Sequence, residues 1–364
     1  MREGSVNAAR LQMSEMQTVN PEPGALALRG AGEVAVLRQA LEWHQAGQRT
    51  AIATTIACWG SAPRPVGARL AVREDGVFAG SVSGGCVENA VITAARACLE
   101  DGAPRRMDYL GDATLPWEVG LPCGGSISVY VEPFSEKFSA ALRGVDAGYV
   151  TAIATSLEAG ACAWFNAAQA GGDAEIIATA RAVLPDQPRE WRPAMLSRPA
   201  GAEIFVDVLR PPPRLLIVGA THLAQALAAL AGVYGYAVTI IDPREAYFAG
   251  ARFGNVPQLA QAPGAAVAGL APDAATAIIV VSHDPKIDDP ALVEALRSAA
   301  FYIGALGSRK SHAARLERLR AAGFGEEALA RIHGPVGLAI GAVTPAEIAG
   351  SILAQMTQVL RAAP

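Results

Sequence analysis

Apolar positions recur at helical spacing in some stretches of the chain and alternate in others, and the pattern changes after residue 210. Val36, Leu37, Ala40, Leu41 and His44 share one side of a helix predicted over Glu33–Ala46, with Gly47 as its stop. Ala51–Ala57 reads as a strand, and Leu70–Val72 with Val77–Gly80 as a hairpin around Glu74-Asp75-Gly76. Val87, Val91, Ala94 and Cys98 share a face, which predicts a helix from Val87 to Leu99. Met107–Leu110 and Ser126–Glu132 follow as strands and Ser135–Arg143 as a connecting helix. Ala152-Ile153-Ala154-Thr155 echoes Ala51-Ile52-Ala53-Thr54, too short a match to establish a repeat. The remainder of residues 150–208 reads as short strands and turns.

Pro211-Pro212-Pro213 is a stiff linker, and beyond it strands and helices alternate. Leu215–Val218, Ala237–Ile241, Ala277–Ser282 and Phe301–Gly304 are apolar strands, with helices at Leu223–Ala231 and Ser311–Ala321. Thr344-Pro345-Ala346-Glu347 is a capping box with proline at the first helical position, opening a closing helix with Ile348, Ile352, Met356 and Leu360 on one face. The fold class is α/β. A disordered leader (1–30) precedes an N-terminal mixed α+β domain (31–210), and a doubly wound parallel-sheet, Rossmann-like domain (214–364) follows.

Composition narrows the function. The net charge is −4, and no basic patch is evident to support nucleic-acid binding. The leader has no apolar run of signal-peptide length, and Gly219, Gly232 and Gly235 interrupt the longest charge-poor stretch, so a cytoplasmic protein without a membrane span is expected. The five cysteines lack zinc-ligand, CxxC or iron–sulfur spacing and are expected to be reduced thiols.

Candidate chemistry centres on Gly80-Ser81-Val82-Ser83-Gly84-Gly85-Cys86-Val87-Glu88. Cys86 falls at a helix N-terminus, where the dipole favours thiolate. Gly84 and Gly85 permit positive φ and close approach of another molecule. A buried core thiol after a structural turn is the competing reading. Ser61, Arg64 and Arg69 lie in or just after a proline-stiffened loop, as anion partners or as solvated residues, and Cys123 precedes a second glycine pair, Gly124-Gly125. In the second half Gly219-Ala220-Thr221-His222 occupies the place of a dinucleotide turn but keeps only its first glycine, and Asp242 has the spacing of a ribose acceptor. His283-Asp284 and Asp288 follow another strand end. Ser308, Arg309 and Lys310 at a helix start form an anion site or a plain cap.

These stretches, with Gly60–Ala68, Leu121–Gly125, Asp242-Pro243-Arg244, Ser282-His283-Asp284, Tyr302–Arg309 and His333–Glu347, resemble the XdhC/CoxI family of xanthine dehydrogenase accessory proteins. The resemblance covers nearly everything after the leader. It implies a maturation factor, a chaperone that binds molybdenum cofactor (molybdopterin, its cytosine dinucleotide form left open), protects it during sulfuration by a cysteine desulfurase, and delivers it to a molybdenum hydroxylase apoenzyme. A homodimer is left open. Cys86 is the implied molybdenum ligand, with Ser83, Gly84, Gly85, Cys123, Arg64 and Arg69 around the cofactor, the amides about Gly84 and Gly85 meeting its phosphate, and Gly219, His222, Asp242, Ser308 and Arg309 as further binding candidates. The chain departs from the family at Thr221 and Ala339, where a GAGH-type turn and an aspartate are common. The rival is an NAD(P)-dependent oxidoreductase. Purine hydroxylation by this chain alone is disfavoured, because it lacks an iron–sulfur motif and length for a molybdenum domain.

Overall fold

A computed structural model describes residues 32–62, 64–110, 124–158, 160–197 and 202–362. The expected leader and Cys123 lie outside them. The described residues form two compact units, Gly32–Pro211 and Pro212 onward.

The first unit contains two antiparallel sheets of the same construction. Helix α1 (Glu33–Gln45) leads into β1 (Thr50–Trp59), β2 (Arg69–Arg73) and β3 (Phe78–Gly80), followed by α2 (Glu88–Asp101), β4 (Arg105–Tyr109) and β5 (Ser126–Pro133). Then α3 (Glu136–Asp146) leads into β6 (Thr151–Ser156), β7 (Cys162–Phe165) and β8 (Ala170–Gly172), followed by α4 (Ala174–Arg181), β9 (Ala194–Ser197) and β10 (Glu203–Leu209). The strand orders are β3-β2-β1-β5-β4 and β8-β7-β6-β10-β9, the same permutation twice. The echo between Ala51–Thr54 and Ala152–Thr155 therefore falls on equivalent strands, β1 and β6, of a structural repeat. The sequence reading missed α4, whose start is fixed by Asp173 accepting from the amides of Glu175 and Ile176.

Alternation decides which face each sheet buries. Ala51 and Ala53 of β1 face α2 with Val91, Ala95 and Cys98. Ile52 faces the other way, into a cluster with Leu37 of α1, Phe138 of α3, and Ile153 and Leu209 of the second sheet. That inner layer joins the two copies.

In the second unit six parallel strands run in the order β13-β12-β11-β14-β15-β16. They are β11 (Arg214–Val218), β12 (Ala237–Ile241), β13 (Gln258–Leu259), β14 (Thr276–Val280), β15 (Tyr302–Ala305) and β16 (Ile332–His333). One face is covered by α5 (His222–Val233) and α10 (Pro345–Ala362), the other by α6 (Pro263–Gly269), α7 (Pro285–Arg297), α8 (Arg309–Ala321) and α9 (Glu326–Leu329). This is the doubly wound arrangement expected, and the near-continuous apolar strands follow from burial on both faces. The capping box forms as read: Glu347 accepts from the amides of Val343 and Thr344 at 2.9 and 2.8 Å. No described helix is long and apolar enough to cross a membrane.

Candidate functional site

The two copies in the first unit differ most at one end of their sheets. In the first copy the connections there are residues 60–68 between β1 and β2, 81–87 between β3 and α2, and 110–125 between β4 and β5. The equivalents in the second copy are residues 157–161, the single residue Asp173, and 198–202. Antiparallel pairing brings all three long connections to the same end: Gly80 stands opposite Leu70, Trp59 opposite Ser126, and Tyr109 opposite Ile127. The first two and the exit of the third touch or share packing. A Cβ on Gly125 would lie 2.8 Å from both the Ala62 amide nitrogen and the Ser61 carbonyl carbon, so the second glycine after Cys123 rests directly on the Ser61 loop. Ala62, Cys58 and Cys86 all pack against the cluster formed by Val82, Val87, Tyr109 and Ile127.

Glu88 organises the Cys86 loop. Its Oε1 accepts from the Ser81 hydroxyl at 2.6 Å and from the amides of Val82, Ser83 and Gly84 at 3.2, 2.9 and 3.1 Å. Its Oε2 accepts from the Gly85 amide at 2.8 Å and from the Ser83 hydroxyl. Burial works against the charge, but the two serine hydroxyls and the amides outweigh it and hold the Glu88 pKa down at about 2. Burial, and then the Glu88 charge, push the Tyr109 phenol up to about 12.

This corrects one expectation. The amides around Gly84 and Gly85 do not stand ready for a phosphate, because a carboxylate of the same chain fills them. The glycines are still required, with φ of 82° and 121°. A Cβ on Gly85 would meet nothing within 4 Å, so the outer side of the loop is open. Cys86 is a half-buried free thiol two residues ahead of α2, whereas Cys98 on the inner face of that helix is fully buried.

Both arginine candidates have protein partners. Arg69 is 1% exposed and hydrogen-bonded to the Asp207 carboxylate of β10, so it joins the two copies and is closed to a ligand. Burial lowers its pKa to about 10. The expectation that Arg69 meets an anion from outside is corrected by that pair. Arg64 donates to Glu33 of α1 at 2.7 Å and remains part-exposed, and burial pushes the Glu33 carboxyl up. The sequence reading missed Glu88, Asp207 and Glu33. Only Glu88 left a local signal, an acid shortly after two serines and two glycines.

In the second unit Asp242 is fully buried and engaged. It accepts from the Ala220 amide at 2.7 Å and takes Arg244 in a two-pronged pair at 2.8 and 2.7 Å. Burial raises its pKa less than these bonds lower it. The expected ribose acceptor is thus already satisfied by its own turn. Gly219 is needed because a Cβ there would approach the Ser282 amide nitrogen to 2.8 Å, so close strand packing accounts for it. Thr221 caps α5, accepting from the Ala224 amide at 3.2 Å, and His222 begins that helix. Ser308 caps α8, and Arg309 is exposed at its first position.

Comparisons with known proteins agree across both units. Residues 43–110 match the model of the XdhC and CoxI family, and residues 215–356 match that of the XdhC Rossmann domain. The molybdenum cofactor insertion chaperone PaoD of Escherichia coli is 32% identical over 89% of this chain and 87% of its own. A Bacillus subtilis protein described as a probable xanthine dehydrogenase subunit is 27% identical over 85% of this chain and 93% of its own. A crystal structure described as a xanthine dehydrogenase from Bacillus halodurans superposes with a TM-score of 0.72 at 24% identity, covering 92% of this chain and 97% of that one, a likeness of fold.

Proposed function

The chain belongs to the XdhC and CoxI family, and on that premise we propose that it is a maturation factor that binds molybdenum cofactor, protects it and delivers it to a molybdenum hydroxylase. The observation that carries the reading is the asymmetry of the duplicated unit. At that end of the sheets the connections are long in the first copy and short in the second, and those of the first carry Cys86. A half-exposed thiol beside an open diglycine turn fits a soft metal ligand. The loop amides do not fit the cofactor's phosphate, since Glu88 fills them.

In this reading the cofactor is cargo. Cys86 supplies the sulfur ligand, Glu88 keeps the loop in the shape that presents it, and the loop's open face admits the guest. Sulfuration by a cysteine desulfurase and transfer to the apoenzyme take place while the cofactor is held. The rival NAD(P)-dependent oxidoreductase draws on the strand order of the second unit, but the engaged Asp242 weighs against it.

The test is purification with a molybdenum-cofactor source and measurement of co-eluting pterin for the wild type and Cys86→Ala. Pterin with the wild type and its loss from the variant is the expected result. Equal pterin in both removes Cys86 from the proposal, and none in either favours the oxidoreductase.

A further inference from the structure

The turn from β15 into α8 gathers positive charge that its surroundings leave largely uncompensated. Helix α8 opens with Arg309 and Lys310 and has no acid in its first turn, where the helix dipole favours acids. Both cations are exposed, and neither has a hydrogen bond or ion pair among the described residues. Ser308 accepts from the Ser311 amide at 3.1 Å, and His312 donates its amide to the Ser308 carbonyl at 2.8 Å. The amides of Arg309 and Lys310 are therefore the donors left at the helix start.

A separate observation lies directly beneath. Arg315 is 5% exposed and donates through Nη2 to the Leu306 carbonyl at 2.9 Å. Its Nη2 and Nη1 lie 3.8 and 3.9 Å from where a Cβ on Gly307 would stand, so the guanidinium backs this turn. Its Nε and Nη1 are buried without a hydrogen-bond partner among the described residues. The Asp288 carboxylate stands off at 3.6 Å, with its other oxygen taken by the Ser282 hydroxyl at 2.6 Å. The His312 Nδ1, on the same side of α8, is also buried and unpartnered. The Arg315 guanidinium charge thus stands directly behind the turn, where it attracts an anion bound in front of Gly307. The turn stands at the carboxyl end of β15, the edge at which doubly wound sheets take ligands.

From these observations we infer that the Gly307–Lys310 turn binds a phosphomonoester. The Arg309 and Lys310 amides and the Ser308 hydroxyl meet its oxygens, the Arg309 and Lys310 side chains flank it, and Arg315 supplies charge from below. The phosphate can belong to a nucleotide or to another phosphorylated ligand. The site is contained in the second unit and does not rest on the role given to Cys86.

The test is calorimetric titration of the full chain at low salt with inorganic phosphate, AMP and adenosine. Saturable binding of phosphate and AMP that weakens with added salt, with none for adenosine, is expected. AMP binding more than about tenfold tighter than phosphate identifies a nucleotide site, and comparable affinities identify a site for the phosphate group alone; both support the inference. Arg309→Gln should weaken binding roughly 2- to 5-fold, and Arg315→Met by about tenfold or more. Arg309 is exposed, so its variant decides the matter if Arg315→Met fails to fold. No binding of phosphate or AMP, adenosine binding as tightly as AMP, or unchanged affinity in Arg309→Gln would overturn it.

Discussion

The Glu88 carboxylate accepts the Gly85 amide at 2.8 Å, one residue before the thiol that distinguishes this loop. Main-chain groups that would make an anion cradle are thereby turned inward, and the loop's shape depends on a charge from the helix that follows it.

Glu88 contributes stability that is fully present above its unfolded-state pKa near 4.5 and is lost as pH falls toward its folded value of about 2. Discounted for solvent screening, the difference corresponds to about 1–3 kcal/mol. Denaturant unfolding between pH 7 and pH 2.5 should show this loss in the wild type and a correspondingly smaller one in Glu88→Gln. At neutral pH the variant should be less stable by a similar amount. An identical acid dependence in both proteins would count against the carboxylate's role.

Arg69 and Asp207 tie the two copies together inside the first unit. Replacing either partner alone leaves a buried charge, and Arg69→Met or Asp207→Asn should each cost about 3–5 kcal/mol. The double variant should lose less than the sum. Urea titrations of all four proteins measure the coupling, and simple additivity would show that the pair does not act as one.

Gly125→Ala and Gly350→Ala should move stability in opposite directions. The first drives a methyl into the main chain of Ser61 and Ala62 and should cost about 1–3 kcal/mol. The second adds a methyl within α10 where nothing lies within 4 Å, and should stabilise by about 0.5–1 kcal/mol. Thermal unfolding of the two variants side by side checks the signs.

Asp242→Asn should destabilise the second unit by about 2 kcal/mol, because a carbonyl and an amide replace the oxygen pair that holds Arg244 and the Ala220 amide. The wild-type contribution is present above the unfolded carboxylate pKa and lost below it, since the folded pKa is lowered. Calorimetric scans at pH 7 and pH 3 should show the gap between wild type and variant narrowing in acid.

What neighbours along the chain decide was legible in the residues alone. The period of Val87, Val91, Ala94 and Cys98 placed α2, the unbroken apolar runs after Pro213 announced a parallel sheet, and Thr344 with Glu347 marked the start of the last helix. The positive φ of Gly84 and Gly85 was legible for the same reason, because a turn's demands fall on its own residues. The partners of the charges emerged only with the folded chain. Arg69 finds Asp207, Asp242 turns back to Ala220, and Arg315 faces Asp288, each pair brought together by strand order and helix packing that no local pattern encodes. The duplication became visible in the same way. Two copies that open β1 and β6 with the same five residues, Thr-Ala-Ile-Ala-Thr, and match little elsewhere share one strand permutation, because main-chain hydrogen bonding sets the topology whichever side chains flank it. Once the copies are overlaid, the lengthened connections at one end of the first point to Cys86 and its neighbours.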